Sequence, residues 1–132
     1  MFDLKGKKAL VTGSTQGIGF AVAKLLANCG AEIIIHGATS EEKCRKAAEQ
    51  ILGKTQIAVA NLADSDCAEN LYRQTGDIDI LVLNASVQIR KPWDETTAEE
   101  FELQIHTNLK SSLMLIQKYA KHMQTQNWGR IV

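Results

Sequence analysis

The 132-residue chain has no surplus of charge: fifteen Lys and Arg balance fifteen Asp and Glu, for a formal net charge of zero. No basic block interrupts that balance, which excludes an electrostatic footprint for nucleic acid or an anionic membrane surface. The expected partner is a small molecule or another protein. Cysteine is scarce, at Cys29, Cys44 and Cys67 only. An odd number, wide spacing and no C-x-x-C pair indicate neither a disulfide framework nor a zinc site, and no metal is expected. Cys29 and Cys44 fall on apolar helix faces, where a thiol serves as a small buried hydrophobe, and this usage fits a reducing cytoplasm. No apolar run reaches the length of a membrane span. The amino-terminal MFDLKGKK lacks the apolar h-region of a signal peptide, so the chain reads as cytoplasmic. Repeats, low-complexity tracts and linkers are also absent, which leaves one domain over residues 1–132.

What is present is an alternation of short apolar runs and helical stripes. Lys8 to Thr12 suits a parallel strand buried on both faces. Ile18, Val22, Leu25, Leu26 and Cys29 then form a stripe at helical period, and Gly30 stands at a C-cap. Ala31 to His36 is a second buried strand, closing a βαβ unit of right-handed crossover. Ser40 is a good N-cap with Glu41 and Glu42 in the first turn, and Cys44, Ala47, Ala48, Ile51 and Leu52 make the next stripe, ended by Gly53. Gln56 to Ala60 reads as a third strand. Asp64 or Ser65 can cap a third helix running to about Thr75, and Ile78 to Asn84 reads as a fourth strand. Beyond Pro92, Thr97 and Glu100 form a capping-box pattern at the head of the longest helix, to about Gln124. Its stripe is Phe101, Ile105, Leu109, Ile116 and Tyr119 or Ala120. Arg130 to Val132 starts a fifth strand, an apolar edge that proteins normally pair or cover. The expected fold is α/β, a Rossmann-like doubly wound parallel sheet truncated at the start of that strand.

Chemistry concentrates in Thr12 to Gly19, TGSTQGIG. Gly13, Gly17 and Gly19 let the backbone take conformations closed to other residues and approach a ligand with no Cβ in the way. They stand at the amino end of the Ile18 helix, where free N–H groups and the positive dipole end favour a pyrophosphate. There is no G-K-[ST], which excludes a triphosphate P-loop, and the spacing G-x-x-x-G-x-G departs from G-x-G-x-x-G. A dinucleotide site is the natural reading, with a ligand-free tight turn as the alternative. Asn108 shares the stripe of the long helix, where a buried amide must find partners or cost about 1–3 kcal/mol.

TGSTQGIG after a strand resembles the T-G-x-x-x-G-x-G cofactor motif of the short-chain dehydrogenase/reductase family. Leu83-Asn84-Ala85-Ser86 occupies the place of that family's N-N-A-G, keeping the second Asn and the Ala. The resemblance implies an NAD(P)-binding domain with cofactor contacts from Gly13, Ser14, Thr15, Gln16, Gly17, Ile18 and Gly19. It places Asn84, Ala85 and Ser86 beside the adenosine and its ribose; Asn84 as a plain strand-end cap is the other reading. Asn61 stands where the family has an Asp against the adenine amino group, and Leu62 could cover the adenine face. His106-Thr107-Asn108-Leu109 aligns with the helix bearing the catalytic Asn, which organises a water and the catalytic Lys; an internally satisfied core amide is the alternative for Asn108.

Cofactor preference depends on the end of the second strand, where an acidic residue binds the ribose 2′-OH. Here His36-Gly37-Ala38-Thr39-Ser40 carries no carboxylate. His36, Thr39 and Ser40 could donate to a 2′-phosphate, so NADP is expected, with NAD possible. The resemblance covers about the first half of a family member of roughly 250 residues. The remaining catalytic groups, a Ser and a Tyr-x-x-x-Lys, do not occur: Tyr72 is followed four residues later by Gly76 and Tyr119 by Met123. The resemblance implies a cofactor-binding half of an oxidoreductase that interconverts an alcohol and a carbonyl, inactive alone and homo-oligomeric. A non-enzymatic dinucleotide-binding or assembly protein is the alternative. His106 and His122 have no partner at metal spacing, and Trp93 either lines a substrate cleft or packs.

Overall fold

Along β1 (Lys8–Val11) Ala9 and Val11 point to one face of the sheet and Leu10 to the other; along β2 (Glu32–Gly37) Ile33 and Ile35 oppose Ile34 in the same way. Both faces are apolar, so both must be covered. The computed structural model describes residues 2–132 and shows how. Three further strands, β3 (Thr55–Val59), β4 (Ile80–Val82) and β5 (Arg130–Ile131), join these two in one all-parallel sheet of order β3-β2-β1-β4-β5. Helices α1 (Gly17–Asn28) and α2 (Glu41–Ala48) cover one face, around Ala9, Val11, Ile33, Ile35, Ala23 and Cys44. Helices α3 (Cys67–Thr75) and α5 (Ser111–Thr125) cover the other, around Leu10, Ile34, Leu81, Leu71, Leu115 and Tyr119. This is the doubly wound Rossmann-like fold expected. Its strand order reverses direction between β1 and β4, the switch point at which such sheets open a crevice.

The caps at Ser40 and Thr97 form as their sequences require. The Ser40 Oγ accepts from the Lys43 N–H at 3.2 Å, and Thr97 and Glu100 complete a reciprocal capping box. The third helix differs: neither Asp64 nor Ser65 caps it. Asp66 takes the N-cap position without a side-chain bond, while the Cys67 N–H turns back to the Asp64 carbonyl. Helix α2 stops at Ala48, since the Gln50 and Ile51 N–H groups bond three residues back in a tighter turn; Ile51 is buried and Leu52 is left exposed.

Two stripes face differently from their sequence reading. In α1 Val22 and Leu26 pack against the core as expected, but its buried residues are Gly19 and Ala23, whereas Ile18 and Leu25 lie 77% and 61% exposed. Small residues four apart let the helix settle close to the strands, and that closeness, not the bulk of the flanking residues, decides the inward face. In the long helix Phe101, Ile105 and Leu109 are exposed, and the inward face is Ser111, Leu115, Tyr119 and Met123. Between α4 (Ala98–Ile105) and α5 lies one π-helical turn, His106–Lys110, whose extra residue shifts the helical phase. Trp93 is exposed, and Trp128 packs between the Lys7 and Arg130 cations, at 4.1 and 4.9 Å from its ring centre. All three cysteines are free thiols, and burial pushes those of Cys44 and Cys67 up. No helix among the described residues is long and apolar enough to cross a membrane.

Candidate functional site: a cleft at the strand-order switch point

A cleft of ≈ 620 Å³ opens at the carboxyl ends of the strands. From the β1–α1 turn it is bordered by Gly13 and by Thr15 to Ile18, from the end of β2 by His36, and beyond β3 by Asn61 and Leu62. From the segment after β4 it is bordered by Asn84, Ala85 and Ser86. The topology thus brings together four segments spread over more than seventy residues of chain.

The turn needs its glycines for separate reasons. Gly13 has φ +64° and its α-carbon faces Ala85 so closely that a Cβ would sit 2.9 Å from the Ala85 Cα. Gly17 has φ +59° with open space beyond it. Gly19 is buried and does not border the cleft; a Cβ there would meet the Gly13 carbonyl oxygen at 2.4 Å and the Asn84 Nδ2 at 2.5 Å. It is therefore the glycine that lets the helix dock. Helix α1 has no side-chain cap at Gln16 and no acidic residue in its first turn, so the positive end of the helix is turned uncompensated to the cleft.

Beneath the turn a buried hydroxyl ties β1 to the segment after β4. The Thr12 Oγ accepts from the N–H groups of Asn84 and Ala85, both at 3.0 Å, and donates to the Val82 carbonyl at 3.2 Å. Asn84 reciprocates: its Nδ2 donates to the carbonyls of Thr12 and Gly13 at 3.0 and 3.1 Å. Asn84 is thus a clasp between two loops, more than a strand-end cap. Thr12 was not singled out as a site residue in the sequence, although its place at the head of the glycine motif was the available signal.

Several expectations are corrected. Ser14 does not face the cleft: it is buried, and its Oγ donates to the Val11 carbonyl at 2.6 Å while accepting from the His36 N–H at 3.0 Å. His36 borders the cleft but has no donor to offer a phosphate. Its Nδ1 accepts from the Gly13 N–H at 3.0 Å, which requires the neutral ring protonated at Nε2, and Nε2 donates to the Ala60 carbonyl at 2.9 Å. Thr39 and Ser40 lie outside the cleft border, because Ser40 has turned to cap α2; Ala38 borders it instead. Asn61 directs its Oδ1 to the Ala63 N–H at 3.0 Å, which occupies one of that oxygen's two lone pairs.

Asn108 is not on a buried stripe. It sits exposed in the π turn, where its Oδ1 accepts from the Val87 N–H and its Nδ2 donates to the Val87 carbonyl, each at 2.8 Å. Gln104 adds a bond from the Ile89 N–H to its Oε1 at 3.1 Å. The two amides fasten the segment after β4 to the long helix by imitating a strand's edge. Val87, Leu103 and Thr107 complete this wall, and none was anticipated. The Thr107 Oγ is buried with no hydrogen-bond partner, as is the His106 Nε2.

Neither tyrosine reaches the cleft border. The Tyr72 hydroxyl donates to Asp77 at 2.9 Å, and the buried Tyr119 hydroxyl pairs with that of Thr75 at 2.8 Å. Burial pushes the Tyr119 phenol up to about 12. His122 lies 3.5 Å from the Asp77 carboxylate, and no cluster of metal-ligating side chains occurs among the described residues.

Fold and cleft together define a Rossmann-type protein whose glycine turn and helix terminus face the switch point of a parallel sheet. The profile of the short chain dehydrogenase family matches residues 7–132, and the chain belongs to that family. It is 36% identical, over its whole length, to a 3-oxoacyl-(acyl-carrier-protein) reductase of Rickettsia prowazekii, of which it covers 54%. Among solved structures it superposes with a TM-score of 0.92 on a 3-oxoacyl-(acyl-carrier-protein) reductase from Agrobacterium tumefaciens with NADP bound, at 32% identity, covering 98% of this chain and 52% of that one. A gluconate 5-dehydrogenase from Burkholderia cenocepacia in complex with NADP and tartrate gives 0.83 at 33% identity, covering 98% and 53%. The chain spans about half the length of the curated relatives it matches.

Proposed function

We propose that this chain is the cofactor-binding portion of an NADP-preferring short-chain dehydrogenase/reductase, and that the whole protein interconverts a small-molecule alcohol and carbonyl. The observation that carries the reading is the glycine turn at the switch point, with the unopposed end of α1 above it and no carboxylate from His36 to Ser40. Gly13 and Thr15 to Ile18 would hold the pyrophosphate, Asn61 and Leu62 the adenine, and Asn84, Ala85 and Ser86 the adjoining ribose. Bound there, the nicotinamide supplies or accepts a hydride. NADP in the Agrobacterium and Burkholderia structures supports the cofactor choice.

Asn108 contributes by position. Its side chain is committed to Val87, so it shapes the wall of the cleft through that segment. With both tyrosines engaged elsewhere, neither is placed as the proton partner of hydride transfer, and turnover by the 132-residue chain is expected to be negligible. The exposed apolar row Phe101, Ile105, Leu109 and Leu113 fits a second copy of the chain, which supports a homo-oligomer. The free cysteines fit a cytoplasmic setting.

Titration calorimetry with NADP and NAD tests the reading. Saturable binding with NADP the tighter ligand is expected, together with no NADPH-dependent carbonyl reduction. Failure of both nucleotides to bind refutes it, and robust reduction by this chain refutes the assignment of the tyrosines.

A further inference from the structure

The glycine turn is held from below by a titratable group that the proposed chemistry does not use. His36 is 1% exposed and bridges two sides of the cleft: Nδ1 takes the Gly13 N–H from the β1–α1 turn, and Nε2–H is given to the Ala60 carbonyl at the end of β3. Its own backbone is locked in place, with its N–H on the Ser14 Oγ and its carbonyl accepting from the Ser14 N–H at 3.0 Å. The ring therefore cannot shift without moving the turn. Resting on the cofactor reading above, we propose that neutral His36 is the positioning residue for the glycine turn, and that protonation at Nδ1 releases the Gly13 amide and weakens dinucleotide binding.

The chemistry follows from donor and acceptor counting. An imidazolium has two N–H donors and no acceptor. Protonating Nδ1 sets an N–H against the Gly13 N–H at a 3.0 Å separation, a repulsive pair, while the Ala60 bond persists. The His36 backbone is paired within β2 and its ring is 1% exposed, so the turn, which borders the cleft, is the side that gives. The turn moves, and with it the amides aimed at the pyrophosphate. Nothing nearby offsets the charge. The β1–α1 turn presents Gly13 and Ser14 to the ring, and β3 presents Ala58 and Ala60. The ring shares the Ile34 and Ala58 face of the sheet, which α3 and α5 cover. The titratable side chain of that core beside Ala58 and Ala60 is Cys67 of α3, which burial keeps a neutral thiol, and Cys44 of α2 lies on the opposite face. Burial lowers the His36 pKa from the ordinary histidine value, the Ala60 bond opposing this in part, and no carboxylate or cation contributes. The neutral ring is the native form, so the stability it confers is present above about pH 6.5 and declines as pH falls below that.

The test is NADP and NAD binding by calorimetry at a series of pH values from 7.5 down to 4.5 for the wild-type chain and for His36→Asn, whose Oδ1 occupies about the place of Nδ1 and cannot be protonated in this range. The 2′-phosphate itself titrates near pH 6; NAD lacks it, and the variant comparison cancels it. Wild type is expected to lose at least about twofold more affinity than the variant across that series, the extra loss setting in below the ordinary histidine range because burial holds the ring neutral. Nitrogen-15 spectra of the wild-type ring give an independent reading should the variant misfold: an Nε2–H tautomer at pH 7.5 and a Gly13 amide that titrates with the ring. Equal pH dependence in wild type and variant, or an Nδ1–H tautomer, overturns the proposal and leaves the cofactor reading intact. No binding by wild type at pH 7.5 overturns both.

Discussion

Thr12→Val tests how the two halves of the cleft are joined. Valine keeps the shape of threonine, so no cavity opens in a site that is 1% exposed, and the change is confined to one hydroxyl. The Val82 carbonyl keeps the Thr12 backbone N–H at 2.9 Å and stays satisfied. The N–H groups of Asn84 and Ala85 lose their acceptor together. Each orphaned donor costs about 1–3 kcal/mol. Water can reach them in part from the cleft, which places the sum in the lower half of the range, about 2–4 kcal/mol. Against a total stability of about 5–15 kcal/mol that is a large loss. With a urea slope of about 1–3 kcal/mol per molar, the midpoint of unfolding should fall by about 1–2 M. Thr12→Ser, which keeps the hydroxyl and removes a methyl, should cost about 1 kcal/mol. A loss under about 0.5 kcal/mol for Thr12→Val, or one equal to that of Thr12→Ser, would refute the reasoning.

Gly19→Ala should abolish nucleotide binding in calorimetry and lower stability by more than about 2 kcal/mol, because a Cβ 2.4 Å from the Gly13 carbonyl must push the helix off the turn. Gly17→Ala, with open space around it, should pay only the cost of its positive φ, about 1 kcal/mol in chemical denaturation. Tyr119 holds its proton to about pH 12 when folded and to about pH 10 when unfolded, so the folded state binds the extra proton between those values and stability must fall as pH rises through them. Tyr119→Phe should remove that part of the alkaline decline in urea titrations, at a cost near neutrality of about 0.5–1.5 kcal/mol, since the Thr75 hydroxyl keeps the Gly76 carbonyl as acceptor at 3.0 Å. Phe101→Glu with Leu109→Glu should shift light-scattering mass toward the monomer while leaving the unfolding midpoint within about 0.5 kcal/mol of wild type, both side chains being exposed.

Much of this protein is decided locally. Strands β1 and β2 are apolar on both faces, and such strands can be buried only in a parallel sheet between two helical layers. The caps at Ser40 and Thr97 and the glycines at 13 and 17 answer requirements of their own few residues, so they are legible in order along the chain. The class of fold, the place of the cleft and the family follow from these.

What depended on distance in space was not legible. Whether Ile18 or Ala23 faces the sheet depends on how closely α1 docks, which Gly19 sets against Gly13 and Asn84. Asn108 looked buried because a uniform helical period carries its stripe inward, and one π turn undoes that phase. The serine at 14 and the histidine at 36 looked like ligands of a phosphate. Only tertiary structure brings the ring between Gly13 and Ala60, 23 and 24 residues away, and spends both its nitrogens on the backbone. Local sequence thus determined that Thr12 to Gly19 would form a turn open to a phosphate, since glycine freedom and a helix terminus are local properties. The tertiary structure decided which hydroxyl, amide and imidazole hold that turn in place, since a hydrogen bond joins groups near in space whatever their separation in the chain.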